Sequence, residues 1–262
     1  MPRPKLWWLL VLLPVPPIAQ GLDQHTLAFI TAALVIVPLA GLIGRSTDQL
    51  AIRSGPRIGG LLNATFGNVT ELIISIFLIV DGQIDIVKAS LIGSIIGNLL
   101  IVLGLSLFVG GLRQKEQHFS AEAAGVHSTS LILAVTGLVM PALFVLSAGR
   151  QTAVQRTVVS VTVALVLIAL YAFALLFMYV THEHLFRTPE SGERAEWSIG
   201  RSVVTLLAAT AVVAVMSDLL VSALEPTVRA IGLSKIFVGL VIIPIIGNAA
   251  EDGSAVLMAL RN

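Results

Sequence analysis

Long apolar runs separated by short polar clusters set the pattern of this chain, and apolar positions come in blocks instead of alternating with polar ones. Four uncharged runs, Thr26–Gly44, Ala89–Leu112, Ser128–Gly149 and Thr157–Thr181, each supply the ~20 residues that a helix needs to cross hydrocarbon. A leading stretch, Leu6–Leu22, is shorter and contains Pro14, Pro16 and Pro17, a pattern shared by short helices and signal-peptide cores. Arg3 and Lys5 beside Trp7 and Trp8 read as an interfacial anchor, and no small-x-small cleavage site follows, which favours a helix. Another run starts near Arg201 and stays uncharged through Ser217 before meeting Asp218.

Two further stretches are long enough to span but are interrupted by acid. Glu71 breaks Ile58–Val80, and Glu251 with Asp252 breaks Ile236–Leu260. The pattern therefore predicts an all-α, polytopic transmembrane helix bundle with eight spans. Charge orients it. Alternate loops on the N-terminal side hold ten basic residues, from Arg3 to Arg201, against five on the other side: Lys88, Arg150, Arg156, Arg229 and Lys235. The N-terminus is thus expected in the cytoplasm.

Composition agrees with burial in lipid. The 262 residues are 56% hydrophobic and 12% charged, with mean hydropathy +0.95, whereas soluble domains carry about a quarter charged residues. A soluble enzyme is excluded, and the lipid bilayer is the expected solvent. A net charge of +1 offers nucleic acid no electrostatic purchase. Without cysteine there is no disulfide, thiol catalysis, iron–sulfur cluster or cysteine zinc site. The polar segment His182–Ser198, with Glu183, Glu190, Glu193 and Glu196, reads as a solvated connector, a cation-sensing loop being the alternative. His127, Ser128, His182 and His184 lie at span ends, where interfacial histidines are ordinary, so no catalytic role is expected.

The acid-interrupted spans repeat one another. GGLLNATFGNVTELIISIFL from Gly59 and FVGLVIIPIIGNAAEDGSAVLMAL from Phe237 share G-N-x-x-E, with Gly67, Asn68 and Glu71 matched by Gly247, Asn248 and Glu251 at an offset of 251 − 71 = 180. Upstream, Ser46-Thr47-Asp48 is echoed by Met216-Ser217-Asp218. The motif helices are spans three and eight, and a separation of five, being odd, makes them cross in opposite directions, which defines an inverted-topology repeat.

A carboxylate near the bilayer centre costs roughly 2.5–3.5 kcal/mol on insertion scales and is kept where it faces a cavity, a partner or an ion. Asn and Glu three residues apart share a helical face in both motifs. The glycines, and Pro244, which removes the hydrogen bond to the Leu240 carbonyl, loosen the backbone beside each acid and free carbonyls for a cation. Oxygen-only ligation with two negative charges is chemistry for Ca²⁺ more than for a soft metal. In GSIIGNLL, Ser94 and Asn98 lie one turn apart on the next span. They read either as neutral ligands or as part of a small-residue packing seam with Gly93, Gly97 and Gly104.

Gly59 to Lys115, including GGLLNATFGNVTELIISIF, DIVKASLIGSIIGNLLIVLG and LRQKE, resembles the first repeat of the calcium/proton exchangers of the cation/calcium exchanger superfamily, and the motif around Gly247 resembles the start of their second. The resemblance runs from about Thr26 to the end. It implies a sodium/calcium exchanger-like fold of eleven spans, of which about eight are present: a leading helix (1–24), a first five-helix repeat (25–181), an acidic cytoplasmic loop (182–198) and an incomplete second repeat of two helices (199–262). It also implies that Glu71 and Glu251 alternately hold Ca²⁺ and protons, with Asn68, Asn98, Asn248 and Ser94 nearby and no cofactor. Asp252 departs from the histidine usual after the second glutamate, which puts proton handling in question. Because the chain stops at Asn262, it is expected to be C-terminally truncated and, alone, a poor transporter. The expected function is Ca²⁺/H⁺ antiport across the bacterial cytoplasmic membrane. A sodium/calcium exchanger and a non-transporting membrane remnant are the alternatives, and homo-oligomerisation stays open as a way to cover Glu251.

Overall fold

A computed structural model describes residues 6–147, 152–182 and 195–260, with the side chains of Pro56, Glu122, Ala123 and Ala250 left out. Most of the acidic connector expected at 182–198, including His184, Glu183, Glu190 and Glu193, lies outside the described residues. Helices account for nearly all the rest, and no strand occurs among the described residues.

In chain order the elements are α1 (Leu6–Gly21), α2 (His25–Phe66), α3 (Val69–Val80), α4 (Ile84–Arg113), α5 (Ala121–Ser147), α6 (Ala153–Thr181), α7 (Ile199–Ile231) and α8, which is made of Lys235–Ala249 and Glu251–Ala259. Gly55, at φ 81° and ψ 169°, breaks α2. The spanning lengths are therefore His25–Gly55 and Arg57–Val80. Among the described residues six helices are long and apolar enough to cross a membrane, and α8 makes seven when its two parts count as one span. The leading stretch differs from expectation. Its prolines divide it into a 3₁₀ segment, Leu6–Leu12, and a short α-helix, Val15–Gly21, leaving it below spanning length.

Two compact units emerge. The first holds residues up to Gly55, Leu62–Gln117 and the chain from Arg194. Its core is built from α2 and α7. Ala28, Ala32, Val35, Ile36, Leu39 and Ile43 form one stripe, and Leu206, Ala209, Val213, Met216, Leu220 and Leu224 the other, each at three- and four-residue spacing. The buried hydroxyls of Thr47 and Thr227 donate to the carbonyls of Ile43 (2.9 Å) and Ala223 (2.7 Å), which removes their need for water. Helix α7 starts where the Ser198 hydroxyl accepts from the Arg201 amide (3.2 Å) and ends at Gly232, whose left-handed φ of 74° suits glycine.

Just before α7 sits a clamp. Trp197, 7% exposed, donates its backbone N–H to Gln49 (2.9 Å), and its carbonyl accepts from Arg53 (2.9 Å). The guanidinium groups of Arg45 and Arg201 lie 4.9 and 4.4 Å from its ring centroid, and Arg45 pairs with Glu196 at 2.9 Å. The entry to α7 is thereby fastened to α2. The second unit contains α5 and α6, where Gly60 leaves room for the Tyr179 ring and Gly137 for Leu167.

Candidate functional site

Both G-N-x-x-E motifs fall where a spanning helix is interrupted. In the first, Gly67 and Asn68 form a turn between α2 and α3, which places Glu71 in the first turn of α3. In the second, Lys235–Ala249 and Glu251–Ala259 meet at 71°, immediately after Gly247 and Asn248. Interruptions of this kind are tolerated in membranes where the backbone lines a protected site.

Glu71 is half-buried, and two donors from different parts of the chain converge on one of its oxygens. Ser94 Oγ, on α4, donates to Oε1 at 2.5 Å, and Asn248 Nδ2, on α8, donates to the same atom at 2.8 Å. Asn248 is 5% exposed, so its amide is committed to this contact. Hydrogen bonds to a carboxylate are shorter and stronger than neutral ones and fix its rotamer. No partner is found for Oε2 among the described residues, so that oxygen remains available to a proton or a cation.

The two repeats also meet reciprocally at their glycines. Gly247 lies against the side chain of Glu71, such that a Cβ there would stand 2.6 Å from Cγ. Gly67 lies against Glu251, such that a Cβ would stand 2.7 Å from its Oε1. Glycine was expected to loosen the helix; its cross-repeat role was not anticipated, although its place in both motifs was the available signal.

The neighbouring backbone departs from α geometry. Wider π-turns occupy Gly97–Val102, which carries Asn98, and Val238–Ile242, just before Pro244. The Leu240 carbonyl, four residues before Pro244, abuts Gly93 of α4, while Gly239 abuts Ala89 and the Ile86 carbonyl. That carbonyl therefore serves the close approach of α4 and α8. The glycine seam expected on α4 reduces to Gly93, since Gly97 and Gly104 face open space.

Other expected site residues sit apart. Asn68 and Asn98 are exposed and make no hydrogen bond to either glutamate among the described residues. Glu251 is exposed, Asp252 is half-exposed, and among the described residues neither receives a donor equivalent to Ser94. Among the described residues there is no group of three or more His, Cys, Asp or Glu that could hold a metal.

Fold and site together define a polytopic membrane protein with paired acids on interrupted helices, the architecture of an ion transporter. Residues 24–180 and 201–262 match the family model described as sodium/calcium exchanger protein, and the chain belongs to that family. It is 41% identical over 267 residues to the Ca(2+)/H(+) antiporter ChaA of Bacillus subtilis, an alignment covering 98% of this chain and 75% of the relative. It is 42% identical over 274 residues to a Ca(2+)/H(+) antiporter of Synechocystis, covering 97% and 73%. The solved structure of native YfkE superposes with a TM-score of 0.79 at 36% identity, covering 98% of this chain and 73% of that one. The H+/Ca2+ exchanger CAX superposes at 0.74 with 15% identity, covering 98% and 66%, a likeness of fold alone.

Proposed function

We propose that this protein is a secondary active antiporter that exchanges Ca²⁺ for H⁺ across the membrane, with Glu71 and Glu251 as the paired carboxylates. The observation that carries the site assignment is the hydrogen bond from Asn248 of one repeat to Glu71 of the other, at 2.8 Å. It joins the two motifs into one polar locus inside helices otherwise built for lipid.

The chemistry follows from charge. Two carboxylates neutralise one Ca²⁺ or accept protons, and a locus that holds only one of these at a time couples their opposite movements. Ca²⁺ takes six to eight oxygens, more than two carboxylates offer. Ser94, Asn68, Asn98 and Asn248 supply neutral oxygens, and Asp252 adds a further acid beside Glu251. No resident cofactor is required. Alternating access then moves one interrupted helix pair against the other around the fixed site.

The protein is an integral multi-pass membrane protein. We place its N-terminus in the cytoplasm on the excess of basic residues on that side, ten against five, in a bacterial cytoplasmic membrane. The repeats run over 25–181 and 199–262.

Reconstitution tests the reading. Ca²⁺ uptake into proteoliposomes follows an imposed pH gradient and is indifferent to a Na⁺ gradient. Uptake driven by Na⁺ alone would make the protein a sodium/calcium exchanger, and absence of both flux and Ca²⁺ binding would leave a non-transporting membrane protein.

A further inference from the structure

We infer that Gly67 and Gly247 are crossed positioning residues: each holds open the space in which the other repeat's carboxylate lies, so the glycine of one motif sets the place of the acid in the other. The inference rests on the reading of Glu71 and Glu251 as the exchanging carboxylates.

Two independent contacts carry it. A Cβ on Gly247 would sit 2.6 Å from Glu71 Cγ and 3.5 Å from its Cδ. Nonbonded carbons rest at about 3.5–4.0 Å, so one side must move by about 1 Å. Glu71 cannot yield freely, because Ser94 and Asn248 both hold its Oε1. The mirror contact repeats the arrangement, with a Cβ on Gly67 lying 2.7 Å from Glu251 Oε1 and 3.7 Å from its Cδ. Here the opposing atom is the end of an exposed, flexible side chain, although the Asn63 carbonyl, also 2.7 Å away, limits the position too. Neither contact lies within one motif. A glycine needed only for helix flexibility would make no demand on the distant acid, whereas Gly104, with nothing within 4 Å, represents that ordinary kind.

Crossed recovery tests this. Gly247→Ala should raise KM for Ca²⁺ by at least about tenfold, since misplacing a ligand by 1 Å costs up to about a hundredfold. Glu71→Asp, which withdraws the carboxylate by one methylene, should restore part of that loss, and Glu251→Asp should not. Gly67→Ala should show the smaller rise, partly restored by Glu251→Asp and not by Glu71→Asp. Gly104→Ala should leave KM unchanged.

Recovery within a motif, no pair-specific recovery, or an equal rise in Gly104→Ala would overturn the inference. If the alanine variants do not yield folded protein, the cysteine-free chain offers a second readout. The pairs Gly247→Cys with Glu71→Cys and Gly67→Cys with Glu251→Cys should each be bridged by Hg²⁺ in membranes, and failure of both overturns it equally. Glu71→Gln and Glu251→Gln separate the two levels. Exchange retained in both sinks the underlying reading, while exchange lost in both with no crossed recovery sinks only this inference.

Discussion

The two G-N-x-x-E motifs are alike in sequence and unlike in surroundings. Glu71 sits half-buried with two donors on one oxygen, while Glu251 is exposed and lies against Gly67. The asparagines invert in the same way, Asn248 being buried and bonded to Glu71, Asn68 exposed and unbonded among the described residues. A motif thus specifies where an acid interrupts a helix. Its environment comes from neighbours, and α4 provides Ser94 to the first motif with no counterpart at the second among the described residues. The first acid is held in one geometry by two donors, and among the described residues the second has no such pair.

The largest effect should come from removing charge. Glu71→Gln and Glu251→Gln each keep shape and delete one of two negative charges, so Ca²⁺/H⁺ exchange in vesicles should fall below detection with normal membrane insertion. Exchange that survives in either variant would break the parity between the motifs.

Next comes the contrast between asparagines. Asn248→Ala removes a buried donor to a carboxylate, a bond worth ~1.5–3 kcal/mol, which converts to a loss of roughly tenfold or more in apparent Ca²⁺ affinity. Asn68→Ala should change affinity by less than about threefold, since an exposed side chain without a partner contributes little to stability or to Glu71. Comparable losses in vesicle KM would show that the asymmetry vanishes when an ion is bound. Ser94→Ala should resemble Asn248→Ala at a smaller scale, because Asn248 still orients Oε1. Its measurement is the same Ca²⁺ titration.

Much of this was readable from residues alone. Apolar runs marked the spans because a helix in lipid must be about 20 residues long and nearly uncharged. The acids stood out because a charge in hydrocarbon is costly and so rarely accidental. The subdivision of α1 was less visible, since hydropathy counts apolar residues and ignores how Pro14, Pro16 and Pro17 divide a helix. The repeated glycine of the two motifs was readable, but the pairing of Gly67 with Glu251 was not. It joins positions 251 − 67 = 184 apart, and helical periodicity carries no information about contacts between helices. Trp197 was hidden differently: it stands in a segment that reads as a solvated connector, and only three-dimensional packing places two arginines around it.

The smallest effect on transport, and a test of where the comparison stops, belongs to that clamp. Trp197 joins the start of α7 to the part of α2 before Gly55 through Gln49, Arg53, Arg45 and Arg201, and none of these contacts involves either glutamate. Burial of a tryptophan with its cation–π contacts stabilises a fold substantially, and Trp→Ala changes in cores cost about 3–5 kcal/mol. Trp197→Ala should therefore lower the melting temperature of purified protein by several degrees, while KM for Ca²⁺ in vesicles stays within about twofold of the parent because no ligand moves. Trp197→Phe keeps ring and backbone contacts and should recover most of the stability. A rise in KM as large as that of Asn248→Ala would mean that the clamp sets the geometry of the site as well as the stability of the fold, and the difference between the two motifs would then extend to the helices that carry them.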